Sequence, residues 1–296
     1  MNKRTLAILA AFGATLIYGV NHTVAKGVMP LHVKPFGFIL LRVSGAAILF
    51  WLISFFGPKE KIEKKDWGRL LVCSLLGMSI NMLSFFKGLQ LSTPINSAVL
   101  VTIVPIITVI VSALFLREKI TLNKGFGIFL GFVGAVGLIL FGAETRQNAP
   151  NIPLGNFLFI VNAVSYGSYL VMVKKLIEKY HPFTLMKWLF TIAILINLPI
   201  TLPQIMEIKF SSIPLWAYGS IAFVVIGTTF LTYLFNIFAL TQLKASSVGA
   251  FVYMQPLVGI LFALFAGKDN LTLVKVTAMC FVLVGVYMAS KKPNKK

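Results

Sequence analysis

Arg42 is the residue whose chemistry is hardest to place in this 296-residue chain. It lies about two helical turns inside an apolar run, where an ionised group is costly unless it meets a partner or a cavity. Lys187 holds a similar place in another run. The eight acidic residues, Glu60, Glu63, Asp66, Glu118, Glu144, Glu178, Glu207 and Asp269, all fall between runs or at their ends. No carboxylate therefore stands at mid-run to pair with Arg42 or to relay protons. Two roles remain for Arg42: bracing neighbouring backbone carbonyls, or drawing in an anionic substrate group such as a carboxylate. Lys187 carries the same two readings. Lys26 and Lys87, nearer the ends of their runs, are expected to snorkel to the interface.

The uncharged polar residues fall on stripes. Tyr18, Asn21 and His22 recur at helical spacing, as do Asn162, Ser165, Tyr166 and Tyr169, and again Thr229, Thr232, Tyr233 and Asn236. Residues three and four apart share one helix face. Asn81, Thr102, Tyr253 and Gln255 add single polar positions in other runs. Such stripes either bond helices together, at roughly 1 kcal/mol each, or line a cavity. As a group they read as the lining of a small-molecule cavity. His22 is the mid-run group whose ordinary pKa lies near neutrality; a neutral, hydrogen-bonding histidine is its simpler role. No HExxH, P-loop, GxSxG or paired-carboxylate pattern occurs. The chain therefore does not read as an enzyme, and no cofactor or metal site is expected. Cys73 and Cys280 sit singly in apolar runs and read as packing residues.

The elements that carry these residues must be membrane helices. Hydrophobic residues make up 58% of the chain, charged residues 12%, and mean hydropathy is +0.89. A water-soluble domain has about 45–50% apolar and about 25% charged residues. A bilayer core of about 30 Å takes roughly 20 apolar residues in a helix. Ten such runs are present, near 5–27, 35–56, 67–90, 94–116, 123–142, 153–178, 182–204, 214–240, 245–267 and 271–289. In lipid the backbone must pair internally, so a span is a helix or a barrel strand. Runs such as Val99 to Leu116, apolar on all sides, lack the strict alternation of a barrel.

The net charge of +19 does not indicate nucleic acid, because the cations cluster between the runs. Alternate connections hold 18 and 7 Lys plus Arg. That imbalance puts both termini in the cytoplasm and the protein in the cytoplasmic membrane. The N-terminal run, too long for a signal peptide and without a small-residue cleavage site, reads as the first span. The expected partners are a small-molecule substrate and membrane lipids.

The runs repeat. A shift of 151 residues brings Pro105 onto Pro256, Arg117 onto Lys268, Glu118 onto Asp269, Thr121-Leu122 onto Thr272-Leu273, Gly134 onto Gly285 and Asn81 onto Thr232. Further upstream the shift is 148 at Tyr18-Gly19 and 147 at Pro35-Phe36. Residues 1–148 and 149–296 thus form two halves of five runs. An odd count inverts the second half relative to the first, an architecture suited to alternating access around a midplane site. Pro105 and Pro256, at matching mid-run positions, are expected to kink their helices and serve as hinges. Gly127, Gly131, Gly134 and Gly137 suit close helix packing.

These features resemble a known family. Ala98, Pro105, the Leu116-Arg117-Glu118-Lys119-Ile120-Thr121 stretch and the glycines at 125, 127, 131 and 134 resemble the EamA-type repeat of the drug/metabolite transporter superfamily. The second half repeats them from Asn236 to Ala289, and Tyr18-Gly19-Val20-Asn21 with Lys26, Pro35 and Arg42 resembles the start of such a repeat. The chain departs at Lys268-Asp269-Asn270, where a glycine-glutamate pair is usual, and at Lys187. The resemblance implies an all-α membrane protein of ten helices in two inverted five-helix repeats, and export of amino acids or similar metabolites. It does not name a substrate. A non-transporting membrane sensor or scaffold and a lipid-intermediate flippase are the rival readings.

Overall fold

Short polar residues and prolines mark where the helices begin. The computed structural model describes residues 2–101, 103–116, 122–141, 149–243, 251 and 254–290. Asn2 accepts a hydrogen bond from the Arg4 amide at 3.2 Å and starts α1 (Lys3–Val28). Pro35 opens α2 (Pro35–Ser54) from a position where its missing N–H costs no helical bond. The third run is α3 (Trp67–Ser74), a π-helical segment (Leu75–Ile80) and α4 (Asn81–Leu91) in unbroken succession. The fourth is divided into α5 (Pro94–Val101) and α6 (Val104–Leu116), and the fifth is α7 (Leu122–Phe141).

In the second half, the Asn151 side chain accepts from the Leu154 amide at 3.1 Å and starts α8 (Ile152–Ile177). His181 and Pro182 start α9 (Pro182–Met206). The eighth run is α10 (Leu215–Ala222), a second π-helical segment (Phe223–Leu231) and α11 (Thr232–Gln242). Of the ninth run the described helix is α12 (Gln255–Phe265); the tenth is α13 (Leu273–Ser290).

The chain is a multi-pass membrane protein. Among the described residues, seven helical stretches are long and apolar enough to cross a bilayer, and α7 and α13 contain shorter apolar stretches. Large apolar side chains such as Ile48, Leu52, Leu71, Phe129, Phe132, Leu195 and Leu261 point outward. That surface suits lipid and not water.

The prolines correct the sequence expectation. Pro105 and Pro256 do not stand in the middle of the helices that hold them. Each stands in the first turn of a new helix, α6 and α12, where proline is tolerated.

The first helices of the two halves start at opposite faces. The Lys26 ammonium at the end of α1 bonds the carbonyls at the end of α4, and the Leu91 carbonyl there accepts from the Asn151 amide at the start of α8. So α8 begins at the face where α1 ends. We term this the opposite face, and the one holding the start of α1 the N-terminal face. At the N-terminal face Lys179 bonds Asp66 and Glu63, both at 2.6 Å, and the Tyr180 hydroxyl donates to Asp66 at 2.7 Å. These bonds join the two halves ahead of α3. Hydrogen bonds to Asp66 and then Glu63 hold the Lys179 ammonium above its ordinary pKa. The Glu63 carboxyl lies below its own through hydrogen bonds from Lys179 and then Lys65.

Repeat-related glycines make repeat-related contacts. A Cβ on Gly19 of α1 would meet the Gln255 carbonyl at 3.2 Å and Val258 at 2.6 Å in α12. One on Gly167 of α8 would meet the Val104 carbonyl at 3.2 Å and Ile107 at 2.9 Å in α6. Gly134 and Gly285 seat α7 against α13 in the same fashion. Gly285 faces backbone directly: a Cβ there would come within 2.5 Å of the Gly127 carbonyl and the Gly131 amide nitrogen.

Gly285→Ala is therefore expected to force α7 and α13 apart, destabilising the protein by about 1–3 kcal/mol. Gly68→Ala, with no atom within 4 Å of the added carbon, is expected to leave stability unchanged or slightly raised. Thermal unfolding of the purified protein in detergent checks both.

Candidate functional site

The two π-helical segments lie at repeat-related places, each ending immediately before Asn81 or Thr232. A π-turn loosens the regular carbonyl pairing of an α-helix, and such turns are frequent at functional sites. Here side chains add hydrogen bonds to carbonyls within the segments. The Ser165 hydroxyl of α8 donates to the Leu76 carbonyl at 2.6 Å, and the Tyr233 hydroxyl of α11 donates to the Gly77 carbonyl at 3.0 Å. In the second segment the Thr228 carbonyl accepts from the Thr232 hydroxyl at 2.6 Å and from a terminal Arg42 nitrogen at 3.4 Å.

Arg42 is the centre of this arrangement. It is buried, at 4% exposure. Its Nε donates to the Thr229 hydroxyl at 2.7 Å, and its guanidinium carbon lies 4.8 Å from the centre of the Phe86 ring. Among the described residues no carboxylate pairs with it. A guanidinium has five N–H donors in a planar fork matched to carboxylate geometry. Nη1 makes no hydrogen bond among the described residues, so part of the fork is unspent.

Four tyrosines form a cluster that reaches Arg42 through Tyr18 and Tyr233. Tyr166 and Tyr169 stack at 5.7 Å between ring centres, and Tyr233 meets Phe190 edge-on at 5.2 Å. Tyr18 reaches toward the side chains of Thr232 and Tyr166 and lies close to Arg42, as does Tyr233. Tyr169 packs so tightly over Gly77 that a Cβ there would lie 2.6 Å from its ring. Tyr18 and Tyr166 keep part of their surface uncovered, whereas Tyr169, Tyr233, Thr229 and Thr232 are buried. The result is a buried cationic and aromatic cluster drawn from α1, α2, α4, α8 and the α10–α11 run.

Other expected site residues are placed elsewhere. The Asn162 amide donates to the Asn81 carbonyl at 2.9 Å and the Asn81 amide to the Asn162 carbonyl at 3.4 Å. This reciprocal pair ties α4 to α8. His22 Nδ1 lies 2.5 Å from the Ser97 hydroxyl and its ring 5.5 Å from Phe85. Asn21 is buried, and its Oδ1 has no hydrogen-bond partner among the described residues. Asn236 is half-buried and Gln255 is buried. Thr102 and Tyr253 lie outside the described residues.

Lys187 is remote from Arg42. Its ammonium lies 4.6 Å from the Trp51 ring centre, in a cluster with Trp188 and Trp67, where α2 ends and α3 and α9 begin. Trp and Lys at a common level are the signature of a membrane–water interface. Lys26 does not snorkel: its ammonium turns inward onto three backbone carbonyls. Lys87 bonds the Gln90 side chain at 2.8 Å.

Two members of the site carry no sequence signal. Phe86 is one of 26 phenylalanines, and Thr228 contributes a backbone carbonyl. Thr229 belongs to the polar stripe read from the sequence, but nothing in its spacing points to Arg42.

Known proteins are similar to this chain throughout its length. The profile described as the EamA-like transporter family matches residues 5–140 and again 153–291. An uncharacterised transporter of Archaeoglobus fulgidus is 30% identical, over 88% of this chain and 90% of its own. The uncharacterised transporter YyaM of Bacillus subtilis is 24% identical, over 84% and 81% respectively. A solved crystal structure, 17% identical, shares the fold with a TM-score of 0.64 over 96% of both chains.

Tyr233→Phe removes the donor to the Gly77 carbonyl while keeping the ring. It is expected to destabilise by about 1 kcal/mol, seen as a lower unfolding temperature in detergent. Asn236→Ala, which removes no hydrogen bond among the described residues, is expected to leave that temperature unchanged.

Proposed function

The chain belongs to the EamA-like transporter family, and from that premise we propose that it is a secondary transporter exporting amino acids or similar small carboxylates across the cytoplasmic membrane. The carrying observation is Arg42 itself: a buried cation with unspent donors, no carboxylate partner among the described residues, and neighbours from both halves. A substrate carboxylate completes the guanidinium fork, and the tyrosines supply an amphipathic wall for its remaining atoms.

In this reading ten spans form two inverted five-helix repeats, 1–148 and 149–296. Both termini lie in the cytoplasm, so the N-terminal face is cytoplasmic, in keeping with its share of Lys and Arg. The site opens to each side in turn as the halves rock. The helix breaks before Pro105 and Pro256 are the hinges, because divided helices bend at little cost in backbone bonding. The relatives are named as transporters and not as enzymes. With no nucleotide-binding motif in the sequence, transport runs on gradients or exchange.

Counterflow in liposomes tests this. The expected result is uptake of at least one amino acid or small carboxylate, absent for its methyl ester. Arg42→Gln is expected to lower that uptake at least about tenfold, the loss of one charge-assisted hydrogen bond. Stable protein with no flux across a broad metabolite panel would instead favour a sensor or scaffold. Undiminished uptake by the Gln variant would remove Arg42 from the site.

A further inference from the structure

The inward turn of Lys26 is part of a larger closure at the opposite face. Its ammonium donates to the Leu89, Gln90 and Ser92 carbonyls at 2.6, 2.9 and 2.8 Å. All three of its donors are thus spent on the C-terminal end of α4, where the helix dipole favours a cation. Next to it stands Asp269, buried with its partner Lys275 at 2.9 Å. Asp269 also accepts from the Ile95 amide at the start of α5, at 3.1 Å, and lies within electrostatic reach of Lys26. Together these bonds fasten the ends of α1 and α4 and the starts of α5 and α13 across one mouth of the bundle.

The repeat supplies a counterpart at the other mouth. The 148-residue shift that pairs Tyr18-Gly19 with Tyr166-Gly167 pairs Lys26 with Lys174. The 151-residue shift pairs the end of α4, Leu89, Gln90 and Ser92, with Leu240, Thr241 and Leu243 at the end of α11. It also pairs Asp269 with Glu118 and Lys275 with Lys124; these two side chains lie outside the described residues. The α4 and α11 helices end at matching residues, Leu91 and Gln242. Yet Lys174 is exposed and its ammonium makes no hydrogen bond or ion pair among the described residues. One cap is made and its symmetric twin is not.

We propose that Lys26 and Lys174 are the paired gate residues of the transport cycle, each capping the last carbonyls of the third helical run of its own half, and that the two caps form in alternation. With Lys26 seated on α4, as here, the opposite face is held closed in this scheme. In the other state Lys26 releases α4 and Lys174 seats on the end of α11, closing the N-terminal face. This rests on the alternating-access reading above. Inversion of the halves is what places the two caps at opposite mouths. The exchange balances one three-fold capped ammonium against another, so neither state is favoured by a large margin.

The test uses sided labelling and needs no substrate. A single reporter, Tyr18→Cys, is placed in a Cys73→Ala, Cys280→Ala background and labelled with a membrane-impermeant maleimide from each face in turn. Lys26→Met is expected to raise labelling from the opposite face about tenfold, the loss of a charged hydrogen-bonding cap. Lys174→Met is expected to shift sidedness the other way, and Lys→Arg at each position to restore the starting pattern. Movement in the same direction, or no movement, overturns the proposal. A second measurement covers variants that fold poorly: a Lys26→Cys, Gln90→Cys, Lys174→Cys, Thr241→Cys chain is expected to trap one disulfide or the other per molecule, and both in one molecule overturns it. If no compound is transported but sidedness responds as described, the transport reading fails and the alternation of the two caps stands.

Discussion

In a bilayer a backbone carbonyl that loses its helical partner has no water to turn to. That constraint explains where this protein concentrates its polar side chains. The third and eighth runs each relax into a π-helical segment, and the groups so loosened are met by Ser165, Tyr233, Thr232 and Arg42. Two of these bonds, from Ser165 and Tyr233, run from the second half onto the first, and the Arg42 bonds run from the first onto the second. The structural need to satisfy backbone and the chemical capacity of the site therefore reside in the same few side chains.

Symmetry and its violation divide the molecule by role. Gly19 and Gly167 make the same kind of contact with α12 and α6, and Gly134 and Gly285 seat α7 against α13. These glycines set the helix spacing of both halves. The site does not follow the symmetry. In the register set by Pro35 and Pro182, the residue related to Arg42 is Leu189, fully buried. Arg42 therefore makes the cluster chemically one-sided although the helices around it are paired by the repeat. Symmetric packing with an asymmetric charge is a natural division for a carrier built from two copies of one module.

The helices were legible because lipid imposes simple rules: length from bilayer thickness, continuity from backbone pairing. Seven of the ten runs match helical stretches long and apolar enough to span, with ends within a few residues. The repeat was legible because glycine, proline and charge recur at a nearly constant shift. Three features were not. The π segments leave no mark on spacing over so few residues. The prolines read as kinks, because sequence cannot tell a bent helix from one that ends and restarts. Lys26 read as a snorkelling side chain, because both directions are open to a lysine near a helix end until the neighbouring carbonyls are located.

The polar stripes show the same boundary residue by residue. Helical spacing alone placed Asn162 and Tyr166 on one face of α8. It could not say that the Asn162 amide is consumed by the Asn81 backbone while Tyr166 stacks on Tyr169. Lys187 and Arg42 likewise looked alike at the same depth of their runs, yet one rests on an interfacial tryptophan and the other on a buried threonine. Composition, periodicity and repetition determined the helices, the membrane and the doubling, because each is a property of the chain along its own length. Which polar groups are spent on one another and which are left for a ligand was decided only in the packed bundle, because a hydrogen bond depends on what lies across the interface.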